Sequence, residues 1–537
     1  MHNVKYQKTK SKCGIARCFI ASLIGLLMIG VLMSNSNAAD LPPPPVTASL
    51  PAVAHGTTSV QARERFPENL PDEINLVIGR HDGKAYAIMR NSPQSNPYAL
   101  QVGGRALSNV IREIAQREGI TLRKNDLNDI NHFLQARAEM AGVVRDIWIR
   151  VAQTPDGIEV DLGDEQHTRV QIIPGNVNIV TSGSEVVFFR PAVSLPMTMP
   201  ADTGDLRLLY RYLNMSAPEA KLLIAWLSYT LAHPKVDSSN YPILVIKSRE
   251  GSGKTFISKY IIHKTIDPSI ISTQIMPNNV KDLAISASNG HIVIYDNART
   301  INKTMSDSLC IASTGGALSS RQLYTDGDMH VLKIHVAIVI TTLHSCIEEP
   351  DLSQRCIPIE LKPIDESERK SETELSAALE EDLPKIQRGL FNLIADVFKA
   401  LPDAEVTNGE RMLDYVRWLA AMERVDGVPA GSYQSLYSHV LRQGQLESLQ
   451  EDPLAAAVLE LAEGLADGDD WYGTPAELLG QLNKLAGKAS QRSRSWPVNA
   501  ISLSKKLHVL QAALAKQGVS LKFARGKERT ITIKNKD

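Results

Sequence analysis

At 537 residues the chain is long enough for several hydrophobic cores, about three or four domains by length alone. A balance of 43% hydrophobic and 22% charged residues excludes a fibrous or wholly unfolded chain. Five cysteines (Cys13, Cys18, Cys310, Cys346 and Cys356) with no C-x-x-C pair exclude a disulfide framework and a zinc module, and fit a reducing compartment. The net charge of -1 hides an asymmetry: residues 488–537 carry twelve Lys/Arg against two acids, a charge of +10, which leaves -11 on the rest. A basic terminal module on an acidic body points to a polyanionic partner, the plain alternative being a solvated basic face.

In chain order, Lys5, Lys8, Lys10, Lys12 and Arg17 precede the apolar run 19–33, and Ser36-Asn37-Ala38 is similar to a signal-peptidase site. That pattern reads as a secretory signal or a membrane anchor. Either would carry the rest of the chain away from cytoplasmic ATP, and Met33 stands before polar, Pro-rich sequence. Within this apolar leader (1–33), residues 1–32 are therefore read as an over-extended start on a cytoplasmic protein beginning at Met33, with a real leader, a signal or a membrane segment at 19–33, as the alternative. Residues 34–72 read as a Pro-rich linker without a core, and 73–200 as an α+β module of short alternating strands (DIWIRVA, GIEVDLG, RVQII, SEVVFFR) and helical stretches such as 108–118. Helical spacing over 205–233 leads into the segment 201–365, expected to form a core of its own. A helix-rich lid (366–455) and a basic winged-helix-like domain (456–537) follow. The expected class is α/β.

The core expectation rests on 241–263, YPILVIK-SREGSGKT-FISKYIIH. An apolar run, a glycine loop and a helix are the parts of a phosphate cradle. Backbone N–H groups from Gly251, Ser252 and Gly253 to Thr255 face a β-phosphate at a positive helix end, Lys254 reaches the β/γ-phosphates, and the Thr255 hydroxyl ligates Mg²⁺. Ser248 stands where the motif's first glycine belongs. A second apolar run, 291–295, ends in Asp296-Asn297, 42 residues after Lys254, and an acid at a strand end holds Mg²⁺. A third strand is expected over 334–342, ending in Thr341, Thr342 and His344. A fourth is expected over 356–361, after E-P-D-L-S-Q-R ending in Arg355.

These motifs resemble AAA+ ATPases of the superfamily 3 or poxvirus-type primase-helicase kind found in prophages, plasmids and integrative elements, over roughly 75–361. The resemblance implies a P-loop core of parallel strands with flanking helices, ATP and Mg²⁺ as cofactors, a homo-oligomeric ring, Thr341 or Thr342 as polar sensor, and Arg355 as an arginine finger. The other reading of Arg355 is an ion pair with Asp351. Asn297 departs from the glutamate many relatives carry: an amide orients water but accepts no proton, and Asp307 is the alternative base.

Two places are expected to meet nucleic acid. Residues 319–331 read as a hairpin around an Asp-Gly turn. Superfamily 3 helicases push such a hairpin into the ring's pore, but here Asp326 and Asp328 at the tip would repel phosphates, leaving Arg321 and His330 farther down. In the tail, helices over 475–486 and 500–517 and a hairpin around 525–528 follow the winged-helix order, with Lys505 and Lys506 on the second helix and Arg525, Lys527 and Arg529 on the wing. The expected function is an Mg²⁺-ATP-dependent helicase or DNA-remodelling motor in replication of a phage-like or integrative element. The alternative is a nucleotide-gated DNA-binding regulator.

Overall fold

The computed structural model describes residues 75–535 apart from 93, 250, 322–328, 345, 348, 467, 494–495 and 527–528. The expected leader and linker, the hairpin tip with Asp326 and Asp328, and Lys527 lie outside the described residues, and of Arg321 and His330 only the backbone is described. Among the described residues no helix is long and apolar enough to cross a membrane.

The chain divides into two units, one of residues 75–78, 85–143 and 182–185, the other of 79–84, 144–181 and 186–535. In the first, β1 (Asn75–Gly79), β2 (Ala85–Met89) and β3 (Tyr98–Gln101) form an antiparallel meander. Two amphipathic helices follow, α1 (Arg105–Arg117) and α2 (Lys124–Ala141). Leu107, Ile111 and Ala115 on α1 and Leu127, Ile130, Leu134 and Ala138 on α2 repeat at helical spacing and share one core with Leu76, Ala85 and Ala87.

The second unit begins with an antiparallel sheet of β4 (Val151–Thr154), β5 (Gly157–Asp161), β6 (Arg169–Ile173) and β7 (Asn176–Val180). The expected strand DIWIRVA is broken at Arg150, whose φ of 61° is left-handed. That turn aims its guanidinium inward: Nε donates to Asp267 Oδ1 at 2.8 Å and Nη1 to the Asp161 carbonyl at 2.8 Å. Asp161 is also paired with Arg169 and Arg190. Burial works to raise the Asp161 carboxyl, but the Arg190 hydrogen bond and the surrounding guanidinium charges outweigh it and hold it below the usual carboxylate range.

The central layer is a parallel sheet. Ser216 and Glu219 form a capping box that starts α3 (Ala217–Ala232), whose residues from Leu222 onward are all buried. β8 (Ile243–Lys247) follows, then α4 (254–266), which opens as Lys254–Phe256, is π-wound over Ile257–Ile262 and closes as His263–Ile266. β9 (Ile292–Ala298) leads to α5 (Lys303–Thr314) and an antiparallel hairpin of β10 (Gly316–Arg321) and β11 (Met329–Ile334). β12 (Ala337–Thr342) and β13 (Cys356–Glu360) complete the sheet in the order β9-β12-β8-β13, all parallel. β8 and β12 lie inside this order and are buried on both faces, so their sequences are apolar runs, ILVI and AIVI, up to the polar residues at the strand ends. The third strand expected over 334–342 is two strands: Ile334 closes the hairpin, and the break at His335 is held by its Nε2 at 2.9 Å from the Ser239 carbonyl.

α6 (Glu372–Ala400), α7 (Leu413–Asp426) and α8 (Ser432–Glu451) cover one side. The C-terminal core gathers α9 (Pro453–Glu463), β14 (Asp470–Gly473), α10 (Pro475–Leu485), α11 (Ala500–Lys516), β15 (Val519–Arg525) and β16 (Arg529–Asn535). Its antiparallel sheet has the order β14-β16-β15. The domain boundary expected at 456 falls inside α9, which starts with Asp452 as N-cap and Pro453 in its first turn.

Candidate functional site: a glycine loop facing a bulged strand end

The loop between β8 and α4 takes its shape from two glycines. Gly251 has φ 75° and Gly253 φ 86°, values L side chains rarely adopt, and these turns bring successive N–H groups to the start of α4. A Cβ at Gly251 would also meet the Arg369 guanidinium at 3.2 Å. Ser248, where the motif's first glycine is missing, is buried; its N–H donates to the Thr342 carbonyl at 3.2 Å and its hydroxyl to the Arg249 carbonyl at 3.0 Å. The serine therefore fits the turn and ties the loop to β12. Ser252 is also buried, and its carbonyl accepts from Asn214 Nδ2 at 3.2 Å. Lys254 Nζ donates back to the Ser248 carbonyl at 3.0 Å, so its ammonium lies within the loop's curl.

Opposite the loop, β9 ends in a bulge. Tyr295 pairs with Ile340 and Ala298 with Thr342, so Asp296 and Asn297 together oppose Thr341. Asn297 takes φ 55°, a left-handed value uncommon for a residue with a side chain. Thr341, fully buried, holds the bulge from both sides: its hydroxyl donates to Asp296 Oδ1 and accepts the Asn297 N–H at 3.0 Å. Thr342 donates to the Ala298 carbonyl at 2.8 Å. The two strand-end threonines expected as sensors thus have different surroundings, Thr341 at the acid and Thr342 on the cleft wall.

Loop and bulge bound one cleft of about 1090 Å³, lined by Gly251 to Thr255 and by Asn297, Thr342 and His344. Asp296, Thr341 and Arg355 are not among its lining residues. Asp307 is exposed on α5 and does not line it either. The cleft has a basic wall that the motifs did not reveal, formed by Arg211, Arg299, Arg369 and Lys370. Tyr212, Leu213, Phe256 and Leu375 also line the cleft, together with the acidic Glu372. The Tyr212 and Phe256 rings stack 6.4 Å apart. Basic groups and aromatic rings around a glycine loop are the kinds of groups that suit a polyphosphate carrying a flat ring.

Arg355 sits elsewhere. Its Nε is 3.5 Å from Asp351 Oδ2 with the side chain 14% exposed, and Asp351 is shared with Arg411, 2.5 Å away. Burial pushes the neighbouring Cys310 thiol up to about 12, which keeps it protonated. In the C-terminal module Lys505, Arg525 and Arg529 are exposed and Lys506 is half-buried. Arg525 and Arg529 pair across the hairpin and flank its turn. The backbone of Arg321 pairs with Met329 at the far end of β10.

A family model described as the actinomycete integrative conjugative element replication protein matches residues 206–440. A second, described as the C-terminal domain of that replication protein, RepA, matches 454–537, and the two together take in more than half of the chain. No curated protein matches. Among solved structures, the apo A form of the NrS-1 C-terminal region is 13% identical, with 88% of this chain and 98% of that chain covered at a TM-score of 0.37. A JCV helicase structure is 14% identical, with 42% of this chain and 65% of that chain covered at a TM-score of 0.19.

Proposed function

We propose that this chain, which belongs to the family of actinomycete integrative conjugative element replication proteins, is an Mg²⁺-ATP-dependent AAA+ ATPase that remodels or unwinds DNA during replication of its element. The observation that carries the reading is the pairing of a left-handed glycine loop with a bulged acidic strand end across one cleft. The parallel order β9-β12-β8-β13 supports it, because the strand ending at Asp296 is separated from the loop strand by the one carrying Thr341 and Thr342. The N–H groups of the loop and the Lys254 ammonium would bind the β- and γ-phosphates, and Arg369 lies beside Gly251 to add charge there. Thr255 lines the cleft and would hold Mg²⁺, a hard cation suited to hydroxyl and phosphate oxygens, while Asp296, next to the cleft-lining Asn297 but not itself in the lining, would reach the ion through water. Mg²⁺ held there would supply positive charge to offset the negative charge developing on the phosphates. Asn297, held on the cleft wall, orients a water through its amide.

Sensing runs through Thr341, which joins the acid to the asparagine. Arg355 would serve a neighbouring subunit's nucleotide in a ring only by leaving Asp351, whose second partner Arg411 remains. The helix-strand-helix-helix-hairpin order of the C-terminal module is that of a winged helix, and its basic residues would carry DNA.

A second reading, a nucleotide-gated DNA-binding regulator that moves no strand, is favoured by Asn297, an amide where a carboxylate base would speed turnover. Strand displacement on a forked duplex separates the two. ATP-dependent release of the labelled strand supports the motor; ATP-dependent DNA binding without release supports the regulator.

A further inference from the structure

α11 turns two chemically different faces in opposite directions. Leu503, Leu507 and Leu514 are buried in the C-terminal core. The opposite face runs Ile501, Lys505, His508, Val509, Ala512 and Lys516, all exposed. Ile501 is 67% exposed, Val509 55%, and Val498 just before the helix 88%. This face bears no carboxylate and no amide. The two serines and the glutamine of the helix are engaged with its own backbone or the sheet: the Ser502 and Ser504 hydroxyls donate to the Asn499 and Ala500 carbonyls, and Gln511 Nε2 donates to the Leu521 carbonyl at 2.8 Å. The His508 ring stacks on Phe523 with centroids 3.8 Å apart.

The surroundings indicate what covers this face. Exposed Lys488 and Arg492 precede it in the chain, and exposed Arg525 and Arg529 stand at the hairpin turn of the same module, within the tail that carries +10. Cations around an apolar strip suit a phosphate-framed groove. A helix in a major groove tells bases apart by hydrogen bonds, from Arg, Lys, Asn, Gln, Asp, Glu, Ser or Thr, or by apolar contact with the one methyl the groove presents, on thymine C5. Of those residues this face carries only Lys505 and Lys516, and its largest apolar side chains are the branched Ile501 and Val509.

We propose that α11 reads thymine methyl groups. The module prefers A·T-rich duplex DNA, with Ile501 and Val509 as the specificity-determining contacts and Lys505 with the wing arginines on phosphates. This inference rests on the DNA-binding part of the proposed function and specifies its substrate.

The test measures equilibrium binding of the full chain, by fluorescence anisotropy at two salt concentrations, to an A·T-rich duplex and to the same duplex with every thymine replaced by deoxyuridine. Removing the methyls is expected to weaken binding about fourfold for each one in contact, from the transfer energy of a single apolar carbon. The salt dependence should stay the same, since no phosphate contact changes. I501A/V509A, exposed changes checked for intact fold by circular dichroism, should bind the two duplexes equally. Equal wild-type affinity for both duplexes, with salt-sensitive binding intact, would overturn the methyl reading, leave DNA binding standing and assign the face to a protein partner. Discrimination surviving in I501A/V509A would overturn the assignment to these two side chains. No duplex binding at all would overturn the DNA reading and this inference with it.

Discussion

Replacing Thr341 by valine keeps the volume and shape of a fully buried side chain and deletes one oxygen. That oxygen accepts the Asn297 N–H at 3.0 Å and donates to Asp296 Oδ1. Its loss leaves a donor in the bulge unpaired, at a cost of about 1–3 kcal/mol. Asn297 already holds a left-handed φ of 55°, a region that asparagine tolerates better than most side chains but enters less readily than the right-handed one, so the bulge can relax by releasing it. If Asn297 orients the attacking water, a misplacement costing about 1.4–2.8 kcal/mol at the transition state slows turnover about tenfold to a hundredfold. Nucleotide affinity should be unchanged, because the glycine loop and Lys254 make no contact with the deleted oxygen. T341S should restore turnover. Steady-state phosphate release, titration with a fluorescent ATP analogue and urea unfolding separate these effects. Wild-type turnover in T341V despite the loss of stability would refute the role of the bulge, and loss of nucleotide binding would show that Thr341 shapes the cleft instead.

Burial lowers His167, His233, His263, His291 and His335 from 6.5 to about 4. Between pH 6.5 and 4 the unfolded chain binds protons that the folded chain does not, so stability is full above 6.5 and falls as pH drops, by up to roughly 1.4 kcal/mol per pH unit for each histidine. The urea midpoint should therefore be lower at pH 5.5 than at pH 7.5, and equal midpoints would contradict the neutral buried state. R355A should still bind ATP, because Arg355 does not line the cleft. It should lose turnover and regain part of it when mixed with K254A subunits; lost ATP binding would instead mark the Asp351 pair as structural. R525Q/R529Q should lower the slope of log affinity for duplex against log salt by about two, with DNA-free ATP hydrolysis as in wild type; an unchanged slope would remove the wing from the DNA contact.

Local patterns made the loop and its strand legible: a buried parallel strand is an apolar run, and the loop's chemistry is written in consecutive residues. The hairpin and β12 were harder to separate, because 334–342 is nearly continuous in apolar character while the break at His335 depends on a hydrogen bond to the distant Ser239 carbonyl. Arg369 and Arg411 carry no sequence signal, since each acts from a connection between elements and only the fold brings it to Gly251 or Asp351. The bulge at Asp296-Asn297 was equally hidden, because it is a register shift against a strand more than forty residues away. The start of α9 did have a signal, Asp452-Pro453 before an apolar helix, which the basic composition of the later tail overshadowed.

The central claim is that the loop at Lys254 binds and turns over nucleotide. Phosphate release from Mg²⁺-ATP by the wild-type chain and by K254A, measured side by side with and without duplex DNA, tests it most directly. The account predicts Mg²⁺-dependent release by the wild type and none by K254A, whose loop has lost the ammonium that meets the β/γ-phosphates. Equal release by the two proteins, or none by the wild type in any condition where it binds DNA, would contradict it.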